Sequence, residues 1–306
     1  MQKSRQHFIH SNLVLRGKVL EAIRAFFSRR GFLEVETPVL IPAPAPEPHI
    51  EAVTADWGYL QTSPELYMKR LLAAGYSRIF QICKTFRAGE RGKLHLTEFT
   101  MLEWYEAEAD YNDMMAGTEE LIRSVCRQIL KKEHLDYQGT RIDLSPPWPK
   151  ITVADAFRRH AGKDMFEAIA DNSFDEIIGI DIEAGLECSR PVFLLDYPVE
   201  KGALARRRPD NPDLAERFEA YIGGIEICNG FTELTDPQEQ CSRFQEELRR
   251  RSEKRLKVYP MPEAFLKALS DMPPSAGNAL GIDRLVMLLA DASSIDEVTA
   301  FIPEEY

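Results

Sequence analysis

The sequence lacks the features of a disulfide-stapled or membrane-spanning protein. Its 306 residues contain five cysteines, an odd number, and no two of them form a Cys-x-x-Cys pair. This spacing disfavours a disulfide framework and a cysteine-rich zinc site. No apolar run approaches the roughly 20 residues of a membrane span, and the N-terminal residues hold no signal-peptide core. We therefore expect a cytoplasmic protein with reduced thiols and no membrane partner.

Basic residues are fewer than acidic residues. The chain has 38 Lys and Arg against 49 Asp and Glu, a formal net charge of −11. This balance disfavours a dedicated nucleic-acid-binding protein. The basic side chains gather at 206–208 and 249–257, where a solvated surface is the simpler interpretation and a partner contact is the alternative. With 44% hydrophobic residues, the chain can build one large catalytic domain or two small ones.

The stretch from Phe86 to Tyr105 carries the strongest pattern. Alternation of apolar and polar residues predicts a strand on each side of a charged loop. If the two strands pair, they bring four side chains to one face of a sheet: Arg87, Phe99, Glu103 and Tyr105. A guanidinium suits a phosphate, an aromatic ring suits a nucleotide base, and a carboxylate with a phenol suits an ammonium group. A half-buried hairpin with a merely solvated loop is the alternative.

A second cluster of charged residues lies between 216 and 233. The two glycines at 223–224 predict a tight hairpin turn. Closing it pairs Tyr221 with Glu226 and Glu219 with Cys228, and puts these four side chains on the face opposite the apolar one. Two carboxylates, Glu219 and Glu226, that converge on one face favour a cation, and oxygen ligands beside a nucleotide suit Mg²⁺. Two solvated carboxylates are the alternative.

The remaining elements frame these two clusters. Pro42 to Pro48 predicts a loop, which we place at the mouth of the site. Ser63-Pro64-Glu65 opens a helix, with Ser63 as its N-cap. Gly277 to Gly281 predicts a strand that leads into a helix, and Arg284 at this junction can meet an anion. Further helices are predicted at 13–30, 110–134, 174–184 and 236–257, and further strands at 32–36 and 191–198.

Three of these stretches resemble the motifs of class II aminoacyl-tRNA synthetases. Val-Glu-Thr-Pro at 35–38 with the preceding helix is similar to motif 1, the strands around the 87–97 loop to motif 2, and 277–284 to motif 3. Glu-Phe-Thr-Met-Leu-Glu-Trp-Tyr at 98–105 and Asn-Gly-Phe-Thr-Glu-Leu at 229–234 resemble the lysyl-tRNA synthetase forms. The resemblance implies an α+β fold, the class II catalytic fold of an antiparallel sheet flanked by helices. It further implies a single domain over 1–306 that forms a homodimer.

The resemblance also implies a role for each matched residue. Arg87 and Arg284 are implied as catalytic, and Glu219 and Glu226 as ligands of Mg²⁺. The residues implied for ATP are Arg87, Ala88, Gly89, Glu90, His95, Leu96, Phe99, Glu226, Ile227, Gly281 and Arg284. Those implied for the amino-acid substrate are Ser63, Pro64, Glu65, Glu103, Tyr105, Asn229, Phe231, Glu233 and Ala279.

The chain departs from the synthetase pattern on the adenine side. Arg87-Ala88-Gly89-Glu90 stands where synthetases usually have Arg-x-Glu, and Glu90 can substitute for that glutamate. Leu96 replaces a common asparagine. These two departures concern the contacts of the base.

The start of the motif 1 helix sets the expected activity. This helix begins at Leu13, so we expect no anticodon-binding domain. That organisation is similar to the truncated paralogues that ligate (R)-β-lysine to elongation factor P. The resemblance implies ATP-dependent activation of (R)-β-lysine or lysine as an aminoacyl-adenylate and transfer to a lysine of elongation factor P, with tRNA an unexpected partner. The alternatives are a truncated lysyl-tRNA synthetase that charges tRNA, a non-catalytic regulatory paralogue, and an amide-forming ligase of the same fold.

Overall fold

The computed structural model describes residues 4–305 and contains one large sheet with helices on both faces. Its strands are β1 (Leu33–Glu34), β2 (Leu40–Ile41), β3 (Tyr59–Leu60), β4 (Arg78–Phe86), β5 (Glu98–Ala107), β6 (His134–Tyr137), β7 (Thr140–Asp143), β8 (Lys150–Thr152), β9 (Val192–Pro198), β10 (Leu214–Ile222), β11 (Ile225–Thr232) and β12 (Ser275–Gly281). Its α-helices are α1 (Arg5–Phe8), α2 (His10–Arg29), α3 (Glu65–Ala73), α4 (Tyr111–Leu130), α5 (Val153–Ala156), α6 (Met165–Ala170), α7 (Phe174–Ile177), α8 (Glu183–Gly185), α9 (Pro237–Glu253), α10 (Glu263–Leu269) and α11 (Ile282–Ala290). Wider π-type turns occur at Phe157–Ala161 and Ile178–Ile182, and 3₁₀ turns at Val199–Lys201, Ile295–Val298 and Pro303–Glu305.

Eight strands form the main sheet in the order β1-β4-β5-β12-β11-β10-β9-β8. The expected antiparallel sheet is confirmed for the central pairings, from β4 to β9. The two edge pairs, β1 with β4 and β8 with β9, are parallel instead. Parallel strands need a long crossover connection, and here helix α3 and helices α5 to α8 lie within these connections. The predicted α+β fold of a sheet flanked by helices is therefore confirmed.

Side chains that alternate along β5 divide the interior into two layers. Leu102 and Trp104 pack in the larger core together with α2, α4 and α11. Tyr105 packs on the opposite face with α3, α9 and α10. A third cluster joins α5, α6 and α7 to β9. Within residues 4–305, no helix is both long and apolar enough to cross a bilayer.

Most predicted helices and strands are present, with shifted ends. The N-terminal helix begins at His10 instead of Leu13. Of the strand predicted at 32–36, only the two residues of β1 (Leu33–Glu34) form a strand. The helix predicted to reach His134 ends at Leu130, and the β6–β7 hairpin that follows was not predicted. The helix predicted to reach Lys257 ends at Glu253 because Arg255 adopts a left-handed backbone conformation with φ 57°.

The β10–β11 hairpin has the predicted turn and a different register beyond it. Gly223 and Gly224 have φ of 59° and 76°, as the tight turn requires. Tyr221 pairs with Glu226 as predicted, but the register then shifts, so Glu219 lies opposite Asn229 and Ala220 opposite Cys228. The prediction that Cys228 shares the polar face is wrong, because this bulge turns its side chain into the larger core.

Candidate active site

One cavity of about 610 Å³ brings most of the predicted site residues together. It lies on the face of the sheet that carries α3 and α9, under the predicted proline-rich loop. The predicted residues that line it are Ser63, Glu65, Arg87, Glu90, His95, Leu96, Phe99, Glu103, Tyr105, Glu219, Glu226, Ile227, Asn229, Phe231, Ala279, Gly281 and Arg284. Four others are not on its wall: Pro64, Ala88, Gly89 and Glu233. The two strand pairs that the sequence singled out therefore meet at a single site.

Arg87 is held at the mouth of the cavity by its backbone and by an aromatic ring. It follows β4 directly, and its backbone N–H donates to the carbonyl of Thr97 across the hairpin at 2.9 Å. Its guanidinium lies 5.2 Å from the centre of the Phe99 ring. The nearest carboxylate oxygen of Glu90 is 3.9 Å away. An arginine and an aromatic ring side by side can receive a phosphate and a planar base.

Arg284 closes the same end of the cavity from the first turn of α11. Its Nη1 donates to the carbonyl of Glu226 at 2.8 Å and to Oε2 of that residue at 3.1 Å. Its Nη2 lies 2.7 Å from Nε2 of His95. Burial first, and the Arg284 charge second, lower the pKa of the His95 ring, so that the neutral ring can accept this hydrogen bond. Arg284 thus joins the charged loop to the β10–β11 hairpin.

Glu103 lies at the other end of the cavity and is 1% exposed. Its Oε1 accepts from the Ser63 hydroxyl at 2.6 Å and its Oε2 from the Tyr105 hydroxyl at 2.7 Å. Burial, followed by the charge of Glu65, raises the pKa of Glu103 to about 7. The Ser63 Oγ also accepts from the Glu65 N–H at 3.0 Å. The Ser63 hydroxyl thus fixes a carboxylate of the site and accepts a backbone N–H at the start of α3, but the predicted cap is displaced by one residue, because the helix begins at Glu65 and Pro64 holds the N-cap position.

Lys69 is the principal residue that sequence analysis missed. Its side chain is 1% exposed and pairs with both Glu65 and Glu233. Its ammonium also lies 4.9 Å from the centre of the Phe231 ring. Glu233 is fully buried, and burial raises its pKa to about 8 although the Lys69 charge acts in the opposite direction. Glu65 and Glu233, which the resemblance implies for the ammonium groups of a ligand, therefore already have Lys69 as a cationic partner inside the protein.

Tyr105 and Glu233 can lie this close to the sheet only because position 277 is glycine. A Cβ there would lie 2.3 Å from a Tyr105 ring carbon and 2.7 Å from a carboxylate oxygen of Glu233. Real Cβ atoms do not approach other atoms so closely, so any larger residue would displace both side chains. Gly277 therefore shapes the floor of the carboxylate-rich end.

The predicted metal ligands differ in their surroundings. Glu219 accepts hydrogen bonds from Tyr197, Tyr221 and Arg217, at 2.6, 2.8 and 2.6 Å. Burial raises its pKa against the Arg217 charge, and the charge of Glu226 adds to the rise. For Glu226, burial acts to raise the pKa, but the charges of Arg284, Arg87 and Arg217 and the Arg284 hydrogen bond together outweigh it, so the pKa is lowered.

The donor set around Glu219 and Glu226 suits a metal that a ligand shares. Within residues 4–305, no group of three or more His, Cys, Asp or Glu side chains is arranged to hold a metal by itself. Glu219 and Glu226 line the same cavity and interact electrostatically. Two such carboxylates still fit Mg²⁺ when a nucleotide supplies further oxygen ligands, because this ion is commonly held by one or two carboxylates together with phosphate oxygens.

Comparison with known proteins identifies the family of this chain. A family model described as tRNA synthetases class II (D, K and N) matches residues 1–305. The lysine–tRNA ligase of Pelotomaculum thermopropionicum is 40% identical over 314 residues, which cover 94% of this chain and 62% of the relative. The enzymes of that name from Moorella thermoacetica and Magnetococcus marinus are 40% and 39% identical, over 94% of this chain and 64% and 62% of their own lengths. The chain thus spans slightly less than two thirds of these relatives. It belongs to the class II tRNA synthetase family of the D, K and N type.

Proposed function

We propose that this protein activates lysine or (R)-β-lysine with ATP to form an aminoacyl-adenylate. The observation that carries the proposal is one cavity with arginines at one end, Arg87 and Arg284, and carboxylates at the other, the buried Glu103 and the partly buried Glu65. The arginines suit the phosphates of a nucleoside triphosphate, and the carboxylates suit an amino acid with a second ammonium group. Relatives named lysine–tRNA ligase support the choice of a lysine-type substrate.

At the nucleotide end, each polar side chain has a separate task. Arg87 would contact the α-phosphate and stabilise the charge that develops as the amino-acid carboxylate attacks it. Phe99 would stack on the base, and Arg284 would hold the γ-phosphate. Glu219 and Glu226 would hold Mg²⁺, which when bound neutralises phosphate charge. Leu96 is 3% exposed, so it would contribute a flat apolar contact to the base instead of a hydrogen bond.

At the amino-acid end, the carboxylates would divide two ammonium groups between them. Glu65 would face the amino group near the reacting carboxylate. Glu103, Tyr105 and Glu233 would compensate the distant ammonium group, because a buried charge without such partners is costly. Asn229 and Phe231 would complete the wall beside them. A non-catalytic regulatory role is disfavoured because Arg87, Glu219, Glu226 and Arg284 all line one cavity.

The pKa values at this end predict that lysine affinity depends on pH. The pKa values of Glu103 and Glu233 are raised to about 7 and about 8, mainly by burial. Of the two, Glu103 lines the cavity, and below pH 7 its carboxyl group holds a proton that an incoming ammonium group must displace, which costs about a factor of ten per pH unit. We therefore expect the KM for lysine in ATP–pyrophosphate exchange to fall at least about tenfold from pH 6 to pH 8. A lysine KM that stays constant over this range, or that follows the KM for ATP, would contradict this account.

Ala279 is the residue we expect to select between lysine isomers. It lies opposite Glu103 on β5 and opposite Asn229 on β11, and its methyl group faces the cavity floor. Lysyl-tRNA synthetases resemble this motif but have glycine here. One methyl group in a tight pocket is worth about 1–3 kcal/mol, or roughly 10–200-fold in selectivity.

We predict that the wild type prefers (R)-β-lysine and that Ala279→Gly raises activation of α-lysine at least several-fold. Pyrophosphate exchange with both isomers and both proteins measures the ratio. An unchanged ratio in the variant would remove Ala279 from the specificity argument. A wild-type preference for α-lysine would reverse the assignment of the isomer.

For the acceptor, we propose a lysine side chain of elongation factor P. The net charge of −11 disfavours a large tRNA interface. The basic run on α9 gives little free positive charge, since Arg249 and Arg250 pair with Glu246 and Arg251 is fully buried. Charging of tRNA is the second candidate, because the curated relatives are named lysine–tRNA ligases.

Intact-mass analysis decides between the two acceptors. Elongation factor P and tRNA are each incubated with the enzyme, ATP and one lysine isomer. The proposal predicts one added lysyl residue on elongation factor P and no charged tRNA. Charged tRNA with unmodified elongation factor P would favour the second candidate.

We also propose a homodimer that forms through the motif 1 segment. Val14, Leu33 and Val39 of this segment are large apolar residues exposed in the single chain. Burial of such residues between two copies would be favourable. A monomeric mass by light scattering would contradict it.

A further inference from the structure

Glu47 has no task in the proposed activation step, yet it lines the cavity beside the residues that perform it. Among the charged side chains, Glu65 and Arg87 interact most strongly with the Glu47 carboxylate, followed by Arg217 and Lys69. Glu65 is the proposed partner of the substrate's amino group and Arg87 that of the α-phosphate. In an aminoacyl-adenylate, the reacting carbonyl lies between these two groups. Glu47 is therefore placed near the bond that the second half of the reaction must break.

The Glu47 carboxylate is available for chemistry. Two other carboxylates of the cavity have partners: Ser63 and Tyr105 donate to Glu103, and Arg284 pairs with Glu226. The Glu47 carboxylate has no hydrogen-bond donor or ion-pair partner among residues 4–305, and only its backbone carbonyl accepts a hydrogen bond. An unpartnered, half-buried carboxylate at the mouth of a charged cavity does not stabilise the fold. Its retention there calls for a partner that arrives with the substrate.

The backbone around Glu47 is fixed. Pro46 and Pro48 flank it and restrict its conformation. Its carbonyl accepts from Nη1 of Arg251 at 2.7 Å, and Arg251 is fully buried and lies over the Tyr259 ring. A rigid backbone presents the carboxylate in one place, as a catalytic group requires.

The protonation of Glu47 also suits proton transfer at neutral pH. Burial, with help from Glu65, raises its pKa to about 7, against the charges of Arg87, Arg217 and Lys69. A base is most effective when its pKa lies near the working pH. A lysine acceptor has a pKa near 10.4 and arrives protonated, so it needs such a base before it can attack.

We propose that Glu47 is the catalytic base of the transfer step and accepts the proton of an incoming ammonium group. The inference rests on the proposed function, because it requires an adenylate. The ammonium nitrogen gives one proton to the Glu47 carboxylate, and its freed electron pair forms the C–N bond to the adenylate carbonyl carbon. The bond from that carbon to the AMP oxygen breaks, and its electron pair leaves with AMP. The second nitrogen proton, acidic in the tetrahedral intermediate, passes to water, which leaves the amide.

The test compares two amines that react with the adenylate preformed on the enzyme. Ethylamine is protonated at neutral pH and needs a base, whereas hydroxylamine is already largely unprotonated. In single-turnover reactions we expect Glu47→Gln to slow aminolysis by ethylamine about 100-fold. The wild-type rate with ethylamine should level off above about pH 7, where Glu47 is ionised, whereas the rate of the variant should keep rising with the fraction of unprotonated ethylamine. Trapping by hydroxylamine should change less than about threefold in the variant. Glu167→Gln serves as the matched control and should behave as the wild type, because Glu167 is an exposed carboxylate on α6 that does not line the cavity.

Each other outcome has a defined meaning. Ethylamine aminolysis at the wild-type rate in Glu47→Gln, or an equal loss with both amines, would overturn the role of Glu47 as a base. A wild-type enzyme that accelerates ethylamine aminolysis no more than free adenylate in solution would overturn it as well. Absence of any hydroxamate with the wild type would instead show that no adenylate forms, and both proposals would fall together.

Discussion

Replacing Arg87 by alanine is expected to lower lysine-dependent ATP–pyrophosphate exchange by a factor of about 10²–10³. The guanidinium is preorganised by the Phe99 ring and by the backbone hydrogen bond to Thr97. It therefore meets the developing phosphate charge without reorganisation, and water that fills the space left by its removal cannot do so. The loss should appear in kcat as well as in KM, because the interaction strengthens in the transition state.

The matched control for this variant is Arg91→Ala. Arg91 belongs to the same charged loop, but its guanidinium pairs with Asp296 and Glu304 instead of lining the cavity. Its removal takes away the same charge from the same loop and should leave exchange within a few-fold of the wild type. Equal losses in both variants would mean that loop order, and not the phosphate contact, carries the effect. Near-normal exchange by a folded Arg87→Ala protein would refute the assignment of Arg87.

Lys69→Met is expected to lower the free energy of unfolding by about 3–5 kcal/mol, since removal of one partner from a buried ion pair leaves an uncompensated charge. Here one ammonium group serves two carboxylates, Glu65 and Glu233. Chemical denaturation at pH 7 measures the loss. Lys18→Met is the control, because Lys18 is exposed on α2, and its stability should stay within about 0.5 kcal/mol of the wild type.

The loss in Lys69→Met should grow with pH. The pKa of Glu233 is already raised to about 8 by burial, and the variant removes the charge that opposed this rise. The folded state then holds a proton that the unfolded chain has released, so stability is retained at low pH and falls as pH rises from about 4.5 through the folded-state pKa. The double variant Lys69→Met/Glu233→Gln should recover much of the loss. A loss that does not depend on pH and is not recovered would assign Lys69 to packing alone.

Local patterns were sufficient to predict the strands that carry the site. Alternation around Phe99 and Glu103 identified the correct face of β5, and the glycine pair at 223–224 identified the turn of the β10–β11 hairpin. Both signals arise from neighbouring residues, which is why they can be read without the fold.

The register beyond that turn depended on distant contacts. Cys228 is packed beside Asn278, which donates to its sulfur at 3.5 Å and to the Thr118 hydroxyl at 2.6 Å. These partners lie on β12 and α4, far from the hairpin in the sequence. A turn fixes the first pairs of a hairpin, but the bulge that follows is fixed by what the core accepts.

Two buried cations were missed for the same reason. Lys69 stands four residues after Glu65 on a helix face with Leu66, Met68 and Leu72, a pattern that also fits an ordinary surface pair. Its second partner, Glu233, follows β11 and is not local. Arg251 was grouped with an exposed basic run, yet Glu51 and the backbone carbonyls of Glu47 and Ile50 hold it in the interior. Long-range ion pairs leave no periodic signal in the sequence.

ATP–pyrophosphate exchange with a set of matched amino acids tests the central claim most directly. Lysine, (R)-β-lysine and norleucine are compared at equal concentration with the wild-type protein, because norleucine keeps the length of lysine but lacks its second ammonium group. The account predicts exchange with at least one lysine isomer and a rate lower by at least about 10² with norleucine, for which the buried Glu103 would stay without a cationic partner. Exchange with norleucine as fast as with either lysine isomer, or no exchange with any of the three, would contradict it.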